Sequence, residues 1–204
     1  QARDFSNIVI SSTSFRKTLD QRATPSTGLG GKLELRPPLG EGHPLRLGVD
    51  WRRASGETRE EAYNPAGSVT ARRRIGGTNS DLGFFAEGDH DLGALRLTAS
   101  ARVDRWTVRD GHFREANNAG TVTRDDRFPN RSGWAASLRG GALFEVSEGL
   151  TMRASAYSGL RQPTLNELYR RFVVFPVITE ANAALANEKL SGFEAGVDLK
   201  FASG

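Results

Sequence analysis

Apolar and polar residues alternate at every second position through much of this chain, the period of an extended strand whose two faces meet different surroundings. From Leu45 to Trp51 the apolar residues are Leu45, Leu47, Val49 and Trp51, and Arg46, Gly48, Asp50 and Arg52 interleave with them. Leu95, Leu97, Ala99, Ala101 and Val103 alternate with Arg96, Thr98, Ser100, Arg102 and Asp104. Comparable runs cover Trp134 to Val146, Leu150 to Ala156 and Phe193 to Phe201. Weaker strands are predicted at 28–36, with Leu33 and Leu35 on the apolar face, at 80–88, with Leu82, Phe84 and Ala86, and near Phe5 to Ser12. The sum is about eight strands, each close to the length of about 9 to 11 residues that a tilted membrane-crossing strand needs.

The connections alternate in length. Segments 37–44, 88–93 and 147–149 are short and rich in Pro, Gly, Asp and Ser, whereas 13–27, 53–79, 107–132 and 161–189 are long and polar. A compact soluble domain rarely keeps several connections longer than about 15 residues. An outer-membrane barrel has short periplasmic turns on one rim and long extracellular loops on the other. The expected fold is all-β: an antiparallel up-and-down transmembrane β-barrel segment of about eight strands. Trp51, Trp106 and Trp134 stand at strand ends, where interfacial girdles favour them. The competing architecture is a soluble, lipid-binding β-protein with the same stripe turned inward. Mid-strand Arg, Asp and Glu on one face, and many Ala on the other, argue for the membrane barrel.

Composition narrows the function classes. The 204 residues contain no apolar run of about 18, so no transmembrane helix is expected, a test that says nothing of barrels. The net charge of +4 would raise nucleic-acid binding in a soluble protein, but no helix-turn-helix, zinc finger or RNP-type signature accompanies it, and no nucleic-acid partner is expected. Nearly all the basic residues are Arg, many at alternate strand positions where they would line a lumen. Cysteine is absent, which removes disulfides, thiol nucleophiles and cysteine-ligated metals. His43, His90 and His112 are scattered without metal-ligand spacing. Asp110, Glu115, Asp125 and Asp126 lack the EF-hand register, and no G-x-S-x-G elbow is present. The reading is a binding protein with no enzymatic role, no metal and no cofactor.

One stretch is more specific: Ser158-Gly159-Leu160-Arg161-Gln162-Pro163-Thr164-Leu165-Asn166-Glu167-Leu168-Tyr169, followed by Glu180-Ala181-Asn182-Ala183-Ala184-Leu185-Ala186-Asn187-Glu188 and then Phe193-Glu194-Ala195-Gly196-Val197. Their order resembles TonB-dependent outer-membrane receptors, in which a strand ends at a basic residue before Pro-Thr and Asn-Glu-Leu-Tyr, and a later strand carries Glu-x-Gly. Ala183 and Asn187 stand where that family usually has Pro. The resemblance marks Arg161, Pro163, Thr164, Asn166, Glu167, Leu168, Tyr169, Glu194 and Gly196 as motif residues. It implies an importer of a scarce nutrient such as a ferric siderophore, cobalamin or haem, in the outer membrane of a Gram-negative bacterium. It also implies that residues 1–204 are a partial barrel domain without the plug, so that the TonB complex would be met through a segment outside this chain. Eight strands of a wider ring would leave two unpaired edges.

Physically, Pro163 cannot donate a ladder hydrogen bond and so suits a strand end. Glu167 and Tyr169 are then placed to tie the adjoining loop back to the wall. For ligand capture the candidates are the Arg72-Arg73-Arg74 run, whose guanidinium groups suit an anionic chelate or lipopolysaccharide phosphates, and His112, Phe113, Asn117 and Phe128 in the 109–131 loop. A plain solvated charge run and a loop-shaping role for the motif are the alternatives. A complete small barrel acting as anchor or passive pore is the rival function.

Overall fold

A computed structural model describes residues 2–40, 43–174 and 177–201. Its strands are β1 (Ala2–Arg3), β2 (Asn7–Ile10), β3 (Lys17–Ala23), β4 (Ser26–Leu35), β5 (Leu45–Tyr63), β6 (Val69–Asp91), β7 (Leu95–Asn117), β8 (Val122–Arg127), β9 (Arg131–Ser147) and β10 (Leu150–Arg161). A short helix α1 (Leu165–Tyr169), a hairpin of β11 (Phe172–Val174) and β12 (Val177–Thr179), and β13 (Glu188–Leu199) complete the chain. One eleven-stranded antiparallel sheet takes the path β1-β4-β5-β6-β7-β9-β10-β13. Seven of the eight expected strands lie on this path; the one expected near Phe5 to Ser12 is β2, which lies off it, and the two-residue β1 takes the remaining place. Strand β3 pairs with the far part of β5 and carries β2 on its other side, and β8 joins the far part of β7. Among the described residues no pairing joins β1 to β13, so the sheet has two edges.

Cross-strand register assembles the alternating residues into rows. Leu33 lies opposite Val49, Val49 opposite Phe84, Phe84 opposite Val103, and Val103 opposite Ala136. Nearer the short turns, Leu95, Phe144, Met152 and Val197 form a second row. Leu33, Phe84, Val103, Phe144, Met152 and Val197 are all exposed. An apolar band of this extent is unstable in water and matches hydrocarbon. The row Trp51–Leu82–Arg105–Trp134 bounds it on the side away from the short turns. There the Arg105 guanidinium lies 5.7 Å from the centre of the Trp134 ring. Trp106 departs from the expected girdle: it pairs with Asp81 on the opposite, polar face, and its ring packs over Gly133.

Segments 13–27, 53–79 and 107–132, expected as loops, are instead largely strand, the first holding β3. Strands β6 and β7 each run for 23 residues and β5 for 19, well past the band. The true loops are two tight turns of matching construction, in which Asn64 Oδ1 accepts from Ser68 N and Asn117 Oδ1 from Thr121 N, each at 2.9 Å. Gly67 and Gly120 supply the left-handed residue in each (φ 87°). These extensions carry polar groups on both faces, so they have no hydropathic period to read. Backbone pairing and ion pairs such as Arg73–Glu115 (2.6 Å) hold them.

Asp110 changes the parity of β7. Its φ of 57° accompanies a register shift in which Gly76 pairs with His112 but Thr78 with Arg109, an extra residue on β7. Even-numbered residues such as Trp106 and Val108 face the polar side before the bulge, and odd-numbered Phe113 and Glu115 face it afterwards. Val108 and Phe113 therefore meet in one cluster.

Candidate functional site: a strap across the polar face

The buried apolar core lies not between the strands but between the polar face and the segment just after β10. Ile75, Val108, Phe113, Leu168 and Tyr169 form it, with Trp106, Phe128, Leu165 and Ala183 packed around. Leu168 and Tyr169 are each only 1% exposed. The Tyr169 ring stacks on Phe128 with centroids 4.7 Å apart. Two glycines admit the strap: a Cβ on Gly111 would clash with the phenol end of Tyr169, and one on Gly77 would lie 3.1 Å from the Leu165 side chain.

The rest of the motif shapes and anchors this strap. Thr164 caps α1 from an extended conformation, accepting from Glu167 N at 3.3 Å, while the Glu167 carboxylate accepts from Thr164 N at 2.7 Å. Pro163 sits between the end of β10 and this cap. Arg161 reaches Glu167 with two bonds of 3.0 Å and Glu188 on β13 with bonds of 2.8 and 2.5 Å, so one guanidinium joins the strap to two wall strands. The Arg161 guanidinium, then the Thr164 N–H and hydroxyl, hold the Glu167 carboxyl down at about 2. Further along, Arg170 donates to Glu60 at 3.1 and 3.0 Å, and Arg131 donates to the carbonyls of Ala183 and Leu185 at 2.7 Å each. Gln162 Nε2 donates to Asp81.

Beyond the strap the polar face is a lattice of opposite charges. Arg102 bonds to Asp50 at 2.6 and 2.9 Å and to Asp104 at 2.6 to 2.9 Å, and Arg46 pairs with Glu87. The buried oxygens Asn79 Oδ1 and Gln162 Oε1 have no hydrogen-bond partner among the described residues. This surface offers hydrogen-bonding and charge to a polar solute. Among the described residues no group of three or more His, Asp or Glu is placed to hold a metal ion.

The sequence candidates separate on this frame. Successive residues of a strand point to opposite faces, so the Arg72-Arg73-Arg74 run is not one cluster. Arg73 lies on the polar face with Glu60 (3.8 Å) and Glu115, whereas Arg72, bonded to Glu61 (3.1 Å), and Arg74 lie on the other. His112 is on that second face, 3.4 Å from Glu57. Phe113 and Phe128 belong to the strap core, and Asn117 makes the turn. His43 and His90, apart in sequence, stack at 4.4 Å by the short turns. Asn166 gives its carbonyl to Arg170 N, closing α1. Glu194 accepts from the Tyr157 hydroxyl at 3.4 Å, and Gly196 leaves room for Arg153, whose Nε would stand 2.7 Å from an added Cβ. Sequence reading overlooked Gly77, Gly111, Glu60 and Arg170. The pairing of Arg170 with Glu60 spans 110 residues, and no local signal announces it.

An alternating antiparallel wall, a lipid-facing apolar band and a strap on the inner face together define a segment of a transmembrane β-barrel. Residues 2–204 match the family described as TonB dependent receptor-like, beta-barrel, and the chain belongs to that family. A solved structure titled "Copper transporter OprC" is similar in fold, with a TM-score of 0.64 at 18% identity, over 91% of this chain and 29% of that one. The chain thus spans less than a third of that neighbour's length. The search of curated protein sequences gives no match.

Proposed function

We propose that this chain is a wall section of an outer-membrane receptor that takes up a scarce nutrient with energy delivered through TonB. The plug and the TonB contact would lie in other parts of the polypeptide. The observation that carries this reading is the strap itself: α1 and its flanks are braced by Arg161, Gln162 and Arg170 onto the inner face, where a shaped lining matters to a solute. A passive anchor has no need of a strap fastened across its lumen. For cargo, the inner face favours a polar or charged chelate such as a ferric siderophore, cobalamin or haem complex. Copper, the cargo in the neighbour's title, draws less support here. The chain has no cysteine, and its single methionine, Met152, stands in the lipid-facing row, so this section brings no soft sulfur ligand to the lumen.

The test is uptake by cells carrying the complete receptor, with and without an intact TonB system, using labelled ferric siderophores, cobalamin, haem and copper in parallel. TonB-dependent accumulation of one of them is expected. Ion conductance in planar bilayers with no TonB-dependent uptake of any would favour the passive pore.

A further inference from the structure

The wall is paired along only part of the seam between β9 and β10. The ladder ends where Tyr157 meets Arg139. Beyond that point β9 runs on through Leu138 to Arg131, held by β7, and β10 runs on from Ser158 to Arg161, held by β13. Among the described residues a single bond crosses between these two free edges, from Leu138 N to Ser158 Oγ at 3.0 Å. The residues below the parting explain it: Gly140, Gly141 and Ala142 face Ala156, Ser155 and Ala154, and such small side chains supply little of the cross-strand contact that holds a sheet together. At the far end Arg131 donates to the carbonyls of Ala183 and Leu185. From there the returning limb of the strap runs to Glu188, opposite Arg161, and so spans the outer end of the slit.

Leu138 lies opposite Ala101, Ala136 opposite Val103 and Trp134 opposite Arg105, so the free edges run through the apolar band up to its rim, on the side away from the short turns. From Arg139 to Trp134 is about 17 Å of strand at roughly 3.3 Å per residue, or about 12 Å along the membrane normal at a tilt of about 45°, most of the roughly 15 Å of one hydrocarbon leaflet. Unpaired backbone at that depth is tolerated only where protein covers it or where it lines a wet space, and the wet space beside this slit is the lumen. Three surroundings therefore meet along one line. Arg139 and Tyr157, whose hydroxyl donates to Glu194 at 3.4 Å, flank the base of the slit on the polar face. Free N–H and C=O groups line its sides. Trp134 and Leu138, 63% and 61% exposed, flank it on the lipid face. A molecule with a polar head, an amide or ester linkage and an alkyl tail matches all three. We infer that the slit between β9 and β10 binds an acylated polar solute, with its head on the inner face, its linkage along the free backbone edges and its tail in the hydrocarbon. The inference rests on the uptake reading proposed above and narrows its cargo to an acylated chelate.

The experiment uses the complete receptor in lipid discs and two probes that carry the same photoreactive diazirine in a dodecanoyl chain: N-dodecanoylglycine, with an anionic head and an amide, and a phosphatidylcholine. Mass spectrometry maps the labelled residues. N-dodecanoylglycine is expected to label 131–138 and 158–161 about fivefold to tenfold more than the rest of the band, including Phe84 and Met152, as one or two net hydrogen bonds to the linkage would give. Phosphatidylcholine should label the band evenly. In the continued register Ala136 faces Leu160, so Ala136→Cys with Leu160→Cys, oxidised, should close the slit and abolish the preference, and reduction should restore it. Where the cystine does not form, Gly159→Trp serves instead, since an added Cβ at Gly159 meets nothing within 4 Å and the ring can fill the slit. The heat-dependent gel shift of a folded barrel controls for folding. Even labelling by N-dodecanoylglycine overturns the inference, and so does a preference that survives closure. An equal preference shown by phosphatidylcholine indicates a general lipid groove and overturns it too. Labelling needs no transport, so these outcomes leave TonB-dependent uptake standing, whereas focused labelling without TonB-dependent uptake sinks the transport reading and keeps the slit site.

Discussion

The phenol end of Tyr169 occupies the place that the side chain of any residue but glycine would take at position 111. A residue of the strap and a residue of the β7 bulge are therefore matched to each other although 58 positions separate them. Gly111→Ala should lift α1 from the wall at a cost of about 1 to 3 kcal/mol, the usual range for overpacking. Limited proteolysis of the folded receptor reads this directly: faster cleavage within 162–188 is expected, and a wild-type digestion pattern would count against the match.

Asp110 sets which residues of β7 reach that core. Asp110→Gly should be tolerated, because glycine accepts a positive φ, whereas Asp110→Val should cost about 1 to 2 kcal/mol through its branched Cβ in the left-handed region. If the valine instead removes the bulge, Phe113 turns outward. Urea unfolding in lipid vesicles, monitored by tryptophan emission, separates the two variants.

Glu60 is 3% exposed and sits between Arg73 and Arg170. Removing one partner from a buried charge cluster leaves the others uncompensated, so Glu60→Ala is expected to destabilise by about 3 kcal/mol or more. Arg170→Ala with Glu60→Ala should cost less than the sum of the two single changes, which a double-mutant cycle measures.

The pH response of the strap comes from Glu167. Its folded carboxyl titrates at about 2 against an ordinary value of 4.5, so its contribution is complete above about pH 4.5 and is lost as pH falls through 2. Acidification from pH 5 to 2 should free α1 before the wall unfolds, read as a change in emission of Trp106, which packs against the strap core. Glu167→Gln should remove this acid-sensitive step, and a variant that keeps it would place the titration on another group.

Phe84 and Ser100 test the two faces of the sheet. Phe84→Arg points into hydrocarbon and should cost about 2 to 4 kcal/mol, while Ser100→Arg, beside Glu87 on the polar face, should cost little. Equal effects in a vesicle-based unfolding assay would contradict the assignment of faces.

Sequence by itself carried the wall. The alternation at Leu45–Trp51 and Leu95–Val103 is imposed by two unlike solvents on the two sides of a strand, so it is written into each short segment independently of the rest. The strap motif was legible for a similar reason: the Thr164–Glu167 capping box is local, and the ties of Glu167 and Tyr169 to the wall depend on where Pro163 ends β10. Tertiary structure decided the remainder. Segments 53–79 and 107–132 are wet on both sides, so hydropathy could not distinguish extended strands from loops. The single bulge at Asp110 then reversed the parity of the last part of β7, a change that register alone reveals. The Arg72-Arg73-Arg74 run reads as one patch along the chain, yet the pleat sends its members to opposite faces. The arginines that do share a face, Arg59, Arg74 and Arg114, come from three strands and meet only because cross-strand pairing sets them side by side.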